Sequence, residues 1–192
     1  MRKLVGLMTL AVLGITVASI TAAEDKPVTD VIGHATEMKA TFLGVDGCKM
    51  CHKSEKSGDQ YGKWMESKHA KAFEVLGTPE AAEAAKAAGI EGSPQEADEC
   101  LQCHVTGHGA AAEMFGPKFA KEDGVGCESC HGAGSEYKSK KTMEDQAASI
   151  AAGLIMPTEA LCRTCHNEKS PTFKEFNFEE MAKKIAHPTP GE

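Results

Sequence analysis

Cys48-Lys49-Met50-Cys51-His52 decides how the rest of the chain is read. The pattern C-x-x-C-H returns as Cys100-Leu101-Gln102-Cys103-His104, Cys127-Glu128-Ser129-Cys130-His131 and Cys162-Arg163-Thr164-Cys165-His166. The four copies use all 8 cysteines. Two thiols three positions apart on a helical turn reach the two vinyl groups of one haem and form thioethers. The histidine that follows then stands under the iron as proximal ligand. An even cysteine count in an exported chain suggests disulfides, and a bare C-x-x-C suggests a redox pair or half a zinc site. None of these requires histidine at the next position four times over. The motifs therefore predict four covalently bound haems c, each with its iron.

The remainder of the composition agrees. Aromatic residues make up 5% of the 192 residues, with a single tryptophan. Amino acids alone would give a domain of this size a poor core, and four porphyrins would supply the missing apolar mass. The chain opens with Arg2 and Lys3, an apolar run from Leu4 to Ile20, and the small residues Thr21-Ala22-Ala23 before Glu24. This reads as a secretory signal peptide over residues 1–23, followed by a single domain over 24–192. The run is short for a membrane span and leads at once into small residues, so no stable membrane anchor is expected. From 21 basic residues, losing Arg2 and Lys3 leaves 19 against 28 acidic ones, a net −9. Such a balance argues against a nucleic-acid partner and favours docking to basic surfaces.

Helical signals are short and separated by loops. Tyr61, Met65, His69, Phe73 and Leu76 recur at helical spacing and predict one amphipathic helix over 61–76. Thr78-Pro79-Glu80 is an N-cap, a proline at the first helical position and an acidic first turn. Ser93-Pro94 repeats that signal ahead of Cys100. Residues 105–126 read mostly as loop, 142–152 as helix, and Asn177 with Glu180 as the capped start of a last helix that must end near His187, because Pro188 follows. No strand-like alternation of any length is present. The fold class expected is mostly α, one domain of short helices and long loops wrapped around four haems.

Eight histidines are present and the motifs use four of them. His34, His69, His108 and His187 remain, one for each iron if every iron is six-coordinate. His69 lies within the apolar stripe, where a surface residue would not be placed. His108 follows the second motif by only four residues, so any iron it binds belongs to a haem other than the one on His104. His187 lies off the stripe of Phe178, Met181 and Ile185, and its local pattern leaves its role open. His34 has no periodicity to orient it and is a candidate by count. Met38, Met50, Met65, Met114, Met143, Met156 and Met181 are the competing distal ligands, although core filling suits each of them.

These residues together resemble a known family, the tetrahaem cytochrome c-554 type. The resemblance rests on Cys48 to His52 followed by Trp64 and Ser67-Lys68-His69-Ala70-Lys71-Ala72. It continues through Cys103-His104-Val105, Gly107 and Gly124-Val125-Gly126-Cys127 to Gly132, and ends on Phe176, Phe178, Glu180 and Met181 before His187. It implies a mostly helical fold with haems packed in close pairs, and distal ligation at the positions of His69 and His187. Some relatives keep a distal histidine soon after the third motif. Here Gly132-Ala133-Gly134-Ser135-Glu136-Tyr137 has none, and His108 is expected to take that role.

Electron transfer in the periplasm or outside the cell is the function this predicts, with redox proteins as partners and no catalytic residue. Two alternatives belong to other classes. One is a small nitrogen-oxide reductase working at a single open haem. The other is a self-associating conductive filament, in which His34 would be donated from one subunit to the next.

Overall fold

Local signals end each helix soon after it starts, and the longest α-helix among the described residues has nine residues. The computed structural model describes residues 40–187. The expected signal peptide, His34 and Met38 lie outside them. Among the described residues ten α-helices and four 3-10 turns follow one another: α1 Val45–His52, α2 Gln60–Glu66, α3 Ala72–Val75, α4 Pro79–Ala87, α5 Asp98–His104, α6 Cys127–His131, α7 Lys140–Met143, α8 Gln146–Ala151, α9 Glu159–Cys162 and α10 Phe178–Ile185. Among the described residues the sole β feature is one bridge between Phe42 and Phe115. The fold is thus mostly α, as the sequence predicts.

The caps explain the starts. Thr78 Oγ1 accepts from the Ala81 amide at 3.2 Å to open α4, and Asn177 Oδ1 accepts from Glu180 at 3.2 Å to open α10. Two expected helices are broken. The amphipathic stretch 61–76 divides into α2, a 3-10 turn at His69–Lys71, and α3. Ser67 between them is extended, with its hydroxyl donating to Trp64 O at 2.7 Å. Phe73 and Leu76 are buried as the stripe predicts, but the break turns Met65 outward, to 42% exposure. The stretch 142–152 likewise divides into α7 and α8, because Asp145 caps a new start by accepting from Ala148 N at 3.0 Å. Ser93 opens only a turn, and the helix proper begins at Asp98.

Apolar packing is thin. Phe73, Leu76 and Leu101 form the buried cluster, with Cys100 and Val105 against it. Phe42, Phe115 and Phe119 make a second group, with ring centres 5.5 Å apart for Phe42–Phe115 and 4.4 Å for Phe115–Phe119. Polar clips do much of the remaining work. Thr106 donates to Gly124 O at 3.0 Å, accepts from Gly126 N at 2.8 Å and meets Ser129 Oγ at 2.8 Å, tying the loop after α5 to the start of α6. Trp64 Nε1 donates to Val125 O at 2.9 Å. Gly124, at φ 68°, lies so close to the His69 turn that a Cβ would stand 3.0 Å from His69 O. That approach lets Val125 N donate to the same carbonyl at 3.2 Å.

Candidate functional site

Each C-x-x-C-H motif lies on one helical turn. The first is contained in α1, the second in α5 and the third in α6. The fourth starts at the end of α9 and continues as a turn in which Cys165 N and His166 N both donate to Cys162 O, at 3.3 and 3.0 Å. The geometry that thioether attachment needs is therefore present four times. All eight cysteines are free thiols and none forms a disulfide. The motifs also meet in twos. The Cys48 thiol lies against that of Cys127; the hydrogen bond between them, with burial, raises the pKa of Cys48, and the same hydrogen bond outweighs burial to lower that of Cys127. Cys103 lies against Cys165, whose pKa the hydrogen bond lowers to about 6. The first motif thus adjoins the third, and the second adjoins the fourth.

Three of the motif histidines are oriented through Nδ1, two of them by backbone carbonyls. His104 Nδ1 is 2.6 Å from Ala72 O, and His131 Nδ1 is 3.1 Å from Ile155 O. His52 Nδ1 meets Gln60 Oε1 at 3.3 Å. A carbonyl partner on Nδ1 fixes the tautomer and leaves Nε2 bare, the arrangement in which histidine ligates a metal. His187 repeats it, with Nδ1 2.8 Å from Ile185 O.

Two pairs of imidazoles face each other across the motifs. His69 and His166 have ring centres 6.0 Å apart, and His131 and His187 5.9 Å apart. Two imidazoles bonded at about 2 Å to opposite sides of one iron have ring centres roughly 6 Å apart. Both centre-to-centre spacings match that distance, with the rings edge to face at 66° and 71°. Burial lowers the pKa of His69, helped by its neighbour His166, and burial also lowers those of His131 and His166. Each is thereby kept as the neutral imidazole that ligates metal. Neutral imidazoles beside paired thiols are the donor types that hold iron porphyrin, and two of the four motif histidines have a second imidazole near them.

His108 stands differently. Its Nε2, the nitrogen left free in the motif histidines, is 3.1 Å from the carboxylate of Asp98, which starts α5. No second ring faces His52 or His104 among the described aromatic pairs. Of the competing methionines, Met50 is 77% exposed and Met65, Met156 and Met181 are also exposed, while Met114 and Met143 are half-buried.

Three side chains that carry no ligand role in the sequence reading hold the site together. Glu128, inside the third motif, is 4% exposed. Its carboxylate accepts from Leu43 N at 2.8 Å, Gly44 N at 2.9 Å and Gly134 N at 2.7 Å. Gly44 has φ 78°, and a Cβ there would stand 2.5 Å from Lys118 O. Tyr137 points its hydroxyl at the carbonyls of His131 and Gly132, at 3.0 and 2.7 Å. Thr106 is the third. A buried carboxylate in a variable motif position has no sequence signature, because most glutamates are exposed.

Four C-x-x-C-H turns with oriented imidazoles are the features of c-type cytochromes. Residues 47–132 match the family described as cytochrome c554 and c-prime. The chain is 35% identical over 120 residues to the cytochrome c-554 of Nitrosomonas europaea, an alignment that covers 60% of this chain and 48% of that protein. The resemblance to the cytochrome c-554 type is thus borne out, although the chain matches only about half the length of that relative. The fourth motif and His187 lie beyond the family match. No solved structure matches the chain.

Proposed function

We propose that this chain is an exported electron carrier holding four covalent haems, and not an enzyme of substrate turnover. Cys48 and Cys51, Cys100 and Cys103, Cys127 and Cys130, and Cys162 and Cys165 are the thioether pairs. His52, His104, His131 and His166 are the proximal ligands. The observation that carries the reading is the imidazole spacing, 6.0 Å for His69–His166 and 5.9 Å for His131–His187. On this reading His69 is the distal ligand opposite His166, and His187 the one opposite His131. His34 and His108 are the candidates for the irons on His52 and His104. When bound, each haem supplies an iron that accepts and returns one electron. The chain's own part is to orient its imidazoles, as the carbonyl contacts at Nδ1 do for His104, His131 and His187, so that a change of charge at a bound haem would cost little rearrangement. The adjoining motifs give electrons short steps between the first and third and between the second and fourth.

The leader signal supports a site of action outside the cytoplasm, in the periplasm or beyond it, with other redox proteins as partners. Among the described residues no helix is long and apolar enough to cross a membrane. Intact mass is the test. Purified protein should exceed the mature polypeptide by four haems that survive acid extraction, and two or three would overturn the count. A second reading, reduction of a small nitrogen oxide at one open haem, draws on the contact of His108 Nε2 with Asp98. Carbon monoxide separates the two: little spectral change in the reduced protein supports the carrier, and prompt binding at one haem in four supports the open site.

A further inference from the structure

Of the three motif histidines with a partner at Nδ1, one has a partner of a different kind. His104 and His131 face backbone carbonyls, Ala72 O and Ile155 O, in segments 32 and 24 residues away. A backbone carbonyl can only accept. His52 instead faces the side chain of Gln60, 8 residues on, with Nδ1 3.3 Å from Oε1. A carboxamide has an accepting end and a donating end, so its orientation decides what His52 meets.

Ser57 fixes that orientation. Gln60 Nε2 donates to the Ser57 carbonyl. Only the amino end can serve a carbonyl, so Oε1 is left for His52, and His52 Nδ1 must carry the proton. Nε2 of His52 then keeps its lone pair, the form that ligates a metal.

The turn before Gln60 holds the side chain in place. Ser54 O accepts from Ser57 N and Asp59 N, both at 2.9 Å, and from Ser57 Oγ at 2.8 Å. Gly58, at φ 101°, donates to Glu55 O at 3.1 Å. Asp59 follows at φ 46° and ψ 46°, and among the described residues it is the one non-glycine at positive φ. That conformation is disfavoured for a residue with a Cβ and persists only where its surroundings hold it. Here it turns the chain so that Gln60 opens α2 against α1, and the Asp59 carboxylate accepts from Gly62 N at 3.2 Å to cap the new helix.

We propose that Gln60 is a positioning residue for the first haem: it holds His52 as the Nδ1–H tautomer and thereby sets the reduction potential of the iron bound there. The proposal rests on the haem reading above. The physical reason is electron donation. An acceptor on Nδ1–H makes Nε2 the more basic ligand, which favours ferric over ferrous iron. Among the three oriented motif histidines, His52 is therefore the one whose donor strength a single side chain adjusts.

The test is a spectroelectrochemical titration of the full holoprotein at pH 7, which follows the one-electron steps of its haems. Gln60→Leu removes the acceptor and should shift one step about threefold toward the ferrous form. Gln60→Glu supplies a charged acceptor and should shift the same step about tenfold toward the ferric form. A merely structural role would move both variants in the same direction. Shifts of equal sign, or no shift in either variant, overturn the proposal. A second readout is exchange of the His52 Nδ1 proton, followed by nuclear magnetic resonance on the reduced protein. It should speed up in Gln60→Leu, and unchanged exchange overturns the proposal as well. Intact mass keeps the arms apart: a haem deficit in the wild type breaks the carrier reading, while the His52 proton still tests the contact with Gln60.

Discussion

The third and fourth motifs have the same five-residue pattern and opposite surroundings. Around Cys127–His131 the polypeptide closes on itself: Glu128 is buried under three backbone amides, Thr106 clips the entry, and Tyr137 covers the exit. Around Cys162–His166 nothing comparable exists, and no residue from 150 to 187 is buried. Helix α10 presents Phe178, Met181 and Ile185 at helical spacing, yet buries none of its residues. An apolar stripe left uncovered by protein indicates a different cover, and on the proposed reading the porphyrins are that cover. One part of the molecule is held by chain–chain contacts, and on the proposed reading the other depends on bound haem.

The largest effect should come from removing a haem on the dependent side. Changing Cys162→Ser with Cys165→Ser should lower the covalent count by one and open residues 150–187 to protease. Residues 40–137 should stay resistant, as read by limited proteolysis and mass spectrometry. Equal cleavage in both regions would show that the two are one cooperative unit and would erase the contrast.

On the self-sufficient side, the expected weak point is Glu128. Glu128→Ala leaves the amides of Leu43, Gly44 and Gly134 without their acceptor, a cost of roughly 3 kcal/mol or more, seen as a lower denaturation midpoint. Burial raises the pKa of Glu128, while the three amides pull it down. A folded pKa above the unfolded value means that the contribution is fully present below the unfolded pKa. It is lost as pH rises through the folded one. Wild type should therefore gain stability relative to Glu128→Gln as pH falls from about 7 to about 4, a range that spans the ordinary glutamate pKa. A gap that widens with rising pH would show that the amides outweigh burial.

Smaller and more local effects are expected at the paired histidines. His69→Ala and His187→Ala should each turn one iron of four high-spin with four haems retained, and the double variant should turn two, read by paramagnetic resonance. A single additional high-spin iron in the double variant would mean that both histidines serve one haem. His108→Ala should convert a further iron if His108 is a ligand; an unchanged spectrum would assign it to its contact with Asp98.

Legibility in the sequence follows the distance over which each feature acts. The attachment motifs, the caps at Thr78 and Asn177, and the thin core are local or compositional, and each is readable. The inward placement of His69, which lies beside His166, is readable too, although for an incomplete reason. The stripe that points to it predicts a continuous helix, whereas Ser67 breaks that helix and Val125 holds the His69 turn. The pairing of His69 with His166 and of His131 with His187 spans distant parts of the chain, and no periodicity reports it. Glu128, Thr106 and Tyr137 are silent for a related reason: a polar side chain reveals burial only when its partners are known.

The smallest expected effect tests the contrast most closely, because the same chemistry can be removed on each side. Thr78 and Asn177 each cap a helix through one side-chain oxygen at 3.2 Å. Replacing either by alanine costs about 1 kcal/mol of helix stability. Helix α4 has Ala85 buried and begins three residues after Leu76 of the Phe73–Leu76–Leu101 cluster, whereas α10 has no buried residue. Loss of the Thr78 cap should therefore be felt by the whole packed region and lower the global midpoint. Loss of the Asn177 cap should stay within α10, because few protein contacts pass the strain onward. Hydrogen exchange by mass spectrometry should show faster exchange confined to peptides from 177–187, with the global midpoint unchanged. If Asn177→Ala lowers the midpoint as much as Thr78→Ala does, α10 unfolds together with the rest, and the haems bind the two regions into one cooperative structure.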